Sequence, residues 1–335
     1  VVVEAPGKPP AIFLLGPTAS GKTDLAAALL DHLPAEIVSV DATLVYRGMD
    51  IGSAKPPAPL LARAPHHLLD IRDPAEPYSA AEFAVAARRL MAAIAGRGKI
   101  PLLVGGSMLY FRVLLEGLAD LPPSDPEVRD QICAQGDALG WPAMHRLLAE
   151  VDPETAAALH PNHSRRIQRA LEIHRLTGVA PSVLKRRQTL APGAIKPIAP
   201  DYSVTQIALV PCNRALLHER IARRFAEMLE LGLEDEVRSL RARGDLHRGL
   251  PAIRAVGYAQ VWDHLDGLST REDMIARAVA ASRQLAKRQL TWLRGWPDLH
   301  SLAIDDGGGG AFTTQQMLEK CLKILRNSPI YKTTG

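Results

Sequence analysis

A chain of 335 residues, 47% of them hydrophobic, carries enough apolar material to bury one large core or two modest ones. No run approaches the roughly 20 apolar residues of a membrane span, and Val1-Val2-Val3-Glu4 lacks the basic start and long apolar region of a secretion signal. Three scattered cysteines, Cys133, Cys212 and Cys321, exclude a disulfide framework and paired metal-ligating thiols and read as small buried hydrophobes; a net charge of only +4 makes the distribution of charge matter more than its total. The expectation is a cytoplasmic, membrane-free, monomeric protein.

In chain order, residues 11–16 form a short apolar run ending in a glycine-rich turn, and residues 23–30 continue as helix. Residues 36–41 predict a second strand with Asp41 at its C-terminal end, and further strands are expected at 67–71, 100–104, 206–210 and 300–304, with helical periodicity in most of the intervening segments. Such alternation predicts an α/β fold, a mainly parallel sheet flanked by helices, whose ligands sit beyond the carboxyl ends of the strands. Gly16, Asp41 and Gly105-Gly106-Ser107 all fall at such ends.

From 118 to 200 the alternation gives way to helical sequence that finishes in a Pro-rich stretch. This predicts an all-helical insertion into a discontinuous core of residues 10–117 and 201–305. Residues 306–335 read as a flexible linker, Gly307 to Gly310, and a tail with one helix of no assigned role. Two segments are basic. Arg165, Arg166, Arg169, Arg175, Lys185, Arg186 and Arg187 face the single acid Glu172, and Arg283, Lys287, Arg288 and Arg294 face none between Ser282 and Gly295. Each run taken alone is a solvated helix face.

The spacing Gly16-Pro17-Thr18-Ala19-Ser20-Gly21-Lys22-Thr23, with a strand before it and a helix after it, is a phosphate-binding loop of the P-loop NTPase-like kind. Its backbone amides point at a phosphate, the helix N-terminus adds positive potential, Lys22 supplies a mobile charge and Thr23 is placed to ligate Mg2+. The loop does not say which phosphate compound it holds, because kinases, nucleotide hydrolases and some transferases share it. Leu68-Leu69-Asp70-Ile71 is a possible magnesium-ordering strand end, but Arg72-Asp73-Pro74 after it also reads as a turn.

Residues 39–56, Ser39-Val40-Asp41-Ala42-Thr43-Leu44-Val45-Tyr46-Arg47-Gly48-Met49-Asp50-Ile51-Gly52-Ser53-Ala54-Lys55-Pro56, closely resemble the bacterial tRNA dimethylallyltransferases. So do His66-His67-Leu68-Leu69-Asp70-Ile71, Tyr78-Ser79-Ala80-Ala81-Glu82-Phe83, Leu103-Val104-Gly105-Gly106-Ser107-Met108-Leu109-Tyr110, Arg169-Ala170-Leu171-Glu172 and Arg283-Gln284-Leu285-Ala286-Lys287-Arg288-Gln289, in order, so the likeness runs from about residue 11 to residue 300. The resemblance implies transfer of a dimethylallyl group from dimethylallyl diphosphate to N6 of the adenosine 3′-adjacent to the anticodon of tRNA. It implies Asp41 as the base, Thr18 as a diphosphate contact, and Arg223 as the diphosphate clamp, with Arg220 three residues earlier as the competing choice. Ser107 replaces the threonine usual in the family and would hydrogen-bond the adenine or its amine. The tRNA-contact regions fall on Asp41, Ala42, Thr43 and Leu44; on Arg165, Arg166 and Arg169; on Arg254, Gly257 and Tyr258; and on Lys287 and Arg288.

Three departures concern RNA binding: Ala42 stands where a serine is usual, Ala259 where an arginine is common, and His163-Ser164-Arg165 where Asp-Pro-Gln is common. The competing readings are a small-molecule or nucleoside kinase with the helical insertion as a lid, which leaves the Asp41 block unexplained, and an RNA-binding NTPase switch.

Overall fold

The computed structural model describes residues 7–186 and 194–328, so the 1–4 segment, Arg187 of the first basic stretch and the last residues of the tail lie outside the described residues. The chain divides into two compact units, Val1–Leu115 with Ile198–Gly335, and Glu116–Pro197.

The first unit begins β1 (Pro10–Leu15), α1 (Lys22–Leu29), β2 (Ala35–Val40), α2 (Ala58–Arg63), β3 (His66–His67), α3 (Ala80–Gly96), β4 (Ile100–Gly105) and α4 (Met108–Glu116). The second unit holds α5 (Pro126–Leu139), α6 (Trp141–Val151), α7 (Pro153–Ala157), α8 (Ser164–Thr177) and α9 (Pro181–Arg186). The chain then returns to the first unit with β5 (Ser203–Val210), α10 (Arg214–Glu230), α11 (Leu233–Ala242), α12 (Tyr258–Leu265), α13 (Arg271–Arg294), β6 (Leu299–Ala303) and α14 (Thr314–Arg326).

The six strands form one sheet in the order β3-β2-β4-β1-β5-β6, every pair parallel. Strands 1 and 4 are central and covered on both faces, which is why their sequences are continuous apolar runs rather than alternating ones. On one face Ile12 and Leu14 pack with Leu25 and Leu29 of α1. On the other, Phe13 meets Phe111 of α4 with ring centroids 5.0 Å apart.

Two sequence expectations change. The strand expected at 67–71 is only two residues long, because Leu68 (φ 66°) and Asp70 (φ 55°) take left-handed backbone that a strand cannot accommodate. The Gly307 to Gly310 stretch is a hydrogen-bonded turn and not a loose linker: the Asp306 amide donates to Gly310 O, and the Gly308 and Gly310 amides donate to Asp306 Oδ1. Asp305 also accepts from the Cys212 and Asn213 amides, which pins this turn to the start of α10. Helix α14, opened by a Thr313–Gln316 capping box, then buries Met317, Leu318, Cys321 and Leu325 in the layer that contains α1. Of the three cysteines Cys321 is buried and Cys212 exposed.

The second unit has its own core of Ile132, Met144, Leu148, Ile167 and Leu171. Asp125 and Asp152 cap α5 and α7, each followed by proline at the first helical position. Glu172, 1% exposed, accepts from Ser124 Oγ, the Asp125 amide and the Arg169 guanidinium. Burial works to raise its pKa, and these bonds outweigh it and hold the carboxyl below its usual range.

Candidate active site

At the carboxyl ends of β1, β2 and β4 the first unit opens into a cleft of about 560 Å³. The phosphate loop forms its floor. Ala19 (φ 62°) and Gly21 (φ 86°) both take left-handed backbone there, and at Gly21, the N-cap of α1, glycine meets that requirement without strain. Lys22 folds over the loop, its Nζ donating to Pro17 O at 2.5 Å and to Ser20 Oγ at 3.3 Å. Burial, and next the positive charge of Arg224, lower its pKa from the usual 10.5 to about 7, with Asp41 pulling the other way.

Asp41 follows the last residue of β2. Its Oδ1 accepts from the Thr43 amide at 2.8 Å and the Leu44 amide at 3.3 Å, an Asx turn that fixes the carboxylate at the strand end. Among the described residues Oδ2 has no hydrogen-bond donor. Burial raises the Asp41 pKa, opposed by those two amides and by the charges of Lys22 and Arg224. The result is a carboxylate that is more basic than usual and faces two cations across the cleft.

Ser107 is placed differently from its expected role against the substrate. Its Oγ accepts the Ala42 amide at 3.0 Å, and its own amide donates to Val40 O. The serine therefore buttresses the turn that carries Asp41, and its hydroxyl hydrogen remains available as a donor.

The arginine assignment also changes. On α10 the buried stripe is Leu217, Ile221, Phe225 and Met228. Arg223 lies away from that stripe, 73% exposed and paired with Glu227 at 3.6 Å. Arg224 lies beside it and donates through Nη2 to Thr18 Oγ1 at 2.5 Å. Arg220, one turn before Arg224, lines the same cleft. Arg223 also reaches the cleft lining, and of the three arginines Arg224 is the one whose hydrogen bond reaches the loop. Arg224 is the loop-bonded cleft arginine that sequence reading missed; the period of the apolar stripe was the signal that could have found it.

Four other cleft residues were missed. Gln289 of α13, 8% exposed, accepts the Thr18 amide at 2.9 Å and donates to Gly106 O at 3.0 Å. Phe312, Thr313 and Met317, around the start of α14, line the wall beside Gly21 and Lys22, so the tail helix has a role at the site.

The carboxylates considered for magnesium are committed elsewhere. Asp70 pairs with Lys55, and Asp73 pairs with Arg243 at 2.7 Å. No cluster of three or more His, Cys, Asp or Glu side chains suited to a metal occurs among the described residues. Thr23 lines the cleft, as does Ser39 on β2, whose buried Oγ has no protein partner.

The expected RNA-contact residues fall into two groups. Arg254, Lys287 and Arg288 are exposed on the first unit, as is Ala42, and Arg165 and Arg166 are exposed on the first turn of α8 in the second. Thr43 and Leu44 are half-buried at the cleft. Tyr258, by contrast, is fully buried and donates its hydroxyl to Glu236 at 2.6 Å. Glu236 also accepts the amides of Asp50, Ile51 and Gly52, so this pair anchors the segment after Asp41. Gly257 is buried beside it, and Ala259, 5% exposed, is core where a lost RNA contact was expected. Arg169 is likewise structural, bonded to Glu172 and to Pro122 O.

Comparison with known proteins places this geometry. The sequence model of the IPP transferase family matches residues 44–296. The chain belongs to that family. A tRNA isopentenylpyrophosphate transferase from Bacillus halodurans is 36% identical over 98% of both chains, with a TM-score of 0.68. The corresponding protein of Staphylococcus epidermidis is 31% identical, over 96% of this chain and all of that one, with a TM-score of 0.65. A eukaryotic dimethylallyltransferase crystallised acting on tRNA is 25% identical over 96% of this chain and 81% of that one, at a TM-score of 0.74. The family match begins at Leu44, past the phosphate loop and Asp41; the structural matches span nearly the whole chain. Membership sets aside the kinase reading and makes the parallel sheet with its phosphate loop that of a prenyltransferase. No helix among the described residues is long and apolar enough to cross a membrane.

Proposed function

We propose that this chain transfers a dimethylallyl group from dimethylallyl diphosphate to N6 of the adenosine 3′-adjacent to the anticodon of tRNA. The observation that carries the proposal is a desolvated carboxylate, Asp41, at the rim of a phosphate loop whose cations, Lys22 and Arg224, act on the same cleft. A base beside a diphosphate grip suits removal of a proton from an amine that attacks carbon; kinases use such a base too, and family membership is what favours prenyl transfer over phosphoryl transfer.

In this reading the loop amides, Lys22, Arg224 and Arg220 hold the diphosphate. The N6 lone pair forms the new C–N bond at C1 of the prenyl group while the C1–O bond breaks. Charge develops on the departing diphosphate and meets the preorganised cations. An exocyclic adenine amine is a weak nucleophile, so Asp41 accepts its proton as the bond forms. Ser107 keeps Asp41 in place through the Ala42 amide. Leu44, Phe225, Met228 and Val256 give the cleft an apolar wall suited to the prenyl chain and to excluding water from the reacting carbon.

Magnesium fits the residues present: Thr23 and the unpartnered Ser39 hydroxyl lie on the cleft and would hold it directly or through its water shell. When bound, the ion neutralises charge on the leaving diphosphate. The target adenosine must leave its stack to enter the cleft, and exposed Arg254, Lys287, Arg288, Arg165 and Arg166 are suited to backbone phosphates of the tRNA.

The test is incubation with labelled dimethylallyl diphosphate, magnesium and unmodified tRNA, followed by digestion to nucleosides. Label is expected on adenosine, only with tRNA present. Asp41→Asn should retain diphosphate binding and lose about 10²–10⁴-fold in turnover. Unlabelled adenosine alongside ATP-dependent phosphorylation of a small molecule would overturn the reading.

A further inference from the structure

One side chain joins the two halves of the cleft. Gln289 projects from α13 into a buried position between the phosphate loop and the loop after β4. Its Oε1 accepts the Thr18 amide at 2.9 Å, and its Nε2 donates to Gly106 O at 3.0 Å. Each of those contacts continues to a chemical group. On one side Thr18 Oγ1 receives Arg224. On the other, the residue after Gly106 is Ser107, which receives the Ala42 amide next to Asp41. The chain of contacts therefore runs from the diphosphate grip to the base, and Gln289 is its middle member.

The local sequence accommodates this amide. A Cβ built on Gly106 would stand 2.4 Å from Gln289 Nε2, too close for any real contact, so glycine at 106 and glutamine at 289 fit together. The geometry points to Gln289 as a positioning residue for the prenyl transfer: it sets the separation and orientation of the phosphate loop relative to the Asp41 turn, and so aligns the prenyl carbon with the base-bound amine. Both polar atoms of its amide are spent on the two loops, so it acts through them. This rests on the prenyltransferase reading above.

A glutamine is required because the bridge needs one acceptor and one donor on a planar group. Gln289→Met keeps the length of the side chain, removes both the acceptor and the donor, and adds no charge beside the phosphate loop. Misalignment of reacting atoms by about 1 Å costs on the order of 10²-fold in rate. The expected result is a kcat 10- to 100-fold lower, with the Kd for dimethylallyl diphosphate, measured by calorimetry, within about threefold of the parent.

Two further variants separate positioning from simple loss of fold. Gly106→Ala should displace the amide and give the same kcat defect as Gln289→Ala, and the double variant should be no worse than either single one. Thermal melting of all variants reports folding. A parent protein that consumes no dimethylallyl diphosphate with tRNA overturns the functional reading and this inference with it. An active parent whose Gln289→Met variant retains kcat within twofold, or loses affinity and kcat in equal measure, overturns the inference alone, as do additive effects of the 106 and 289 changes.

Discussion

Lys22 offers a quantitative test of the site, because its ammonium is placed where it is poorly solvated and close to another cation. The fall of its pKa from 10.5 to about 7 corresponds to roughly 5 kcal/mol of penalty on the charged form. An arriving diphosphate reverses the sign of the local field and restores the ordinary preference for the ammonium. At pH 8 the free protein carries about 0.1 of a proton on Lys22 and the complex about one, so binding should take up about 0.9 proton; at pH 6 the uptake should fall to about 0.1. The ligand phosphates are essentially fully ionised at pH 8 and contribute little there.

The assay is titration calorimetry with dimethylallyl diphosphate and magnesium in two buffers of different ionisation enthalpy. Asp41 is a second group whose proton affinity an anion would raise, so Lys22→Arg, which stays charged, isolates the lysine. Uptake at pH 8 below about 0.2 proton, or unchanged uptake in Lys22→Arg, would refute the argument. The same linkage fixes a stability trend. Between pH 7 and 10.5 the unfolded lysine binds the proton that the folded one has released, so the ligand-free protein gains stability as pH rises through that window and carries the full penalty below it.

The arginines give two further contrasts. Arg224→Ala should weaken diphosphate binding about 10- to 100-fold, since charge-assisted hydrogen bonds contribute about 1.5–3 kcal/mol, whereas Arg223→Ala should stay within about twofold; equal losses would return the clamp to Arg223. For RNA, replacing Arg165 and Arg166 should reduce the salt slope of tRNA binding by about one unit per lost phosphate contact. Arg169→Ala should instead lower the unfolding free energy by about 1–3 kcal/mol in urea melts, because it strips a donor from buried Glu172. A variant that unfolds like the parent but has a shallower salt slope would place Arg169 on the RNA after all.

Much of the fold is legible in the sequence because parallel buried strands write themselves as apolar runs. Strands 1, 2, 4, 5 and 6 lie within a few residues of their expected places. Strand 3 fails because left-handed backbone at Leu68 and Asp70 answers to tertiary hydrogen bonding and not to local composition: the Asp70 amide donates to Leu44 O, and its carboxylate accepts from the ammonium of Lys55, fifteen residues earlier. The Gly307 to Gly310 turn fails for a related reason. Four glycines in sequence describe freedom, and only the acceptors of Asp305 and Asp306 take that freedom away.

Among site residues, spacing alone located the phosphate loop, since Gly16 to Thr23 is a contiguous device whose parts need no distant partner. The family blocks located Asp41. Arg224 was open to reading from the apolar stripe of α10, but Gln289 and Phe312 were not, because each acquires its place from an element far along the chain. Tyr258 and Arg169 erred in the opposite direction: a polar side chain near a functional segment looks like a ligand contact until a carboxylate, half-buried Glu236 or buried Glu172, is found to take its hydrogen.

By itself the sequence determined five of the six strands, the phosphate loop and the place of Asp41 at a strand end, all of which depend on local periodicity or on residues adjacent in the chain. The tertiary structure decided which arginine bonds the phosphate loop, which polar groups are committed to the fold and how the loop is tied to the Asp41 turn. Those are matters of which side chains meet across elements, and Gln289, 271 residues from the amide it holds, has no local signature of that meeting.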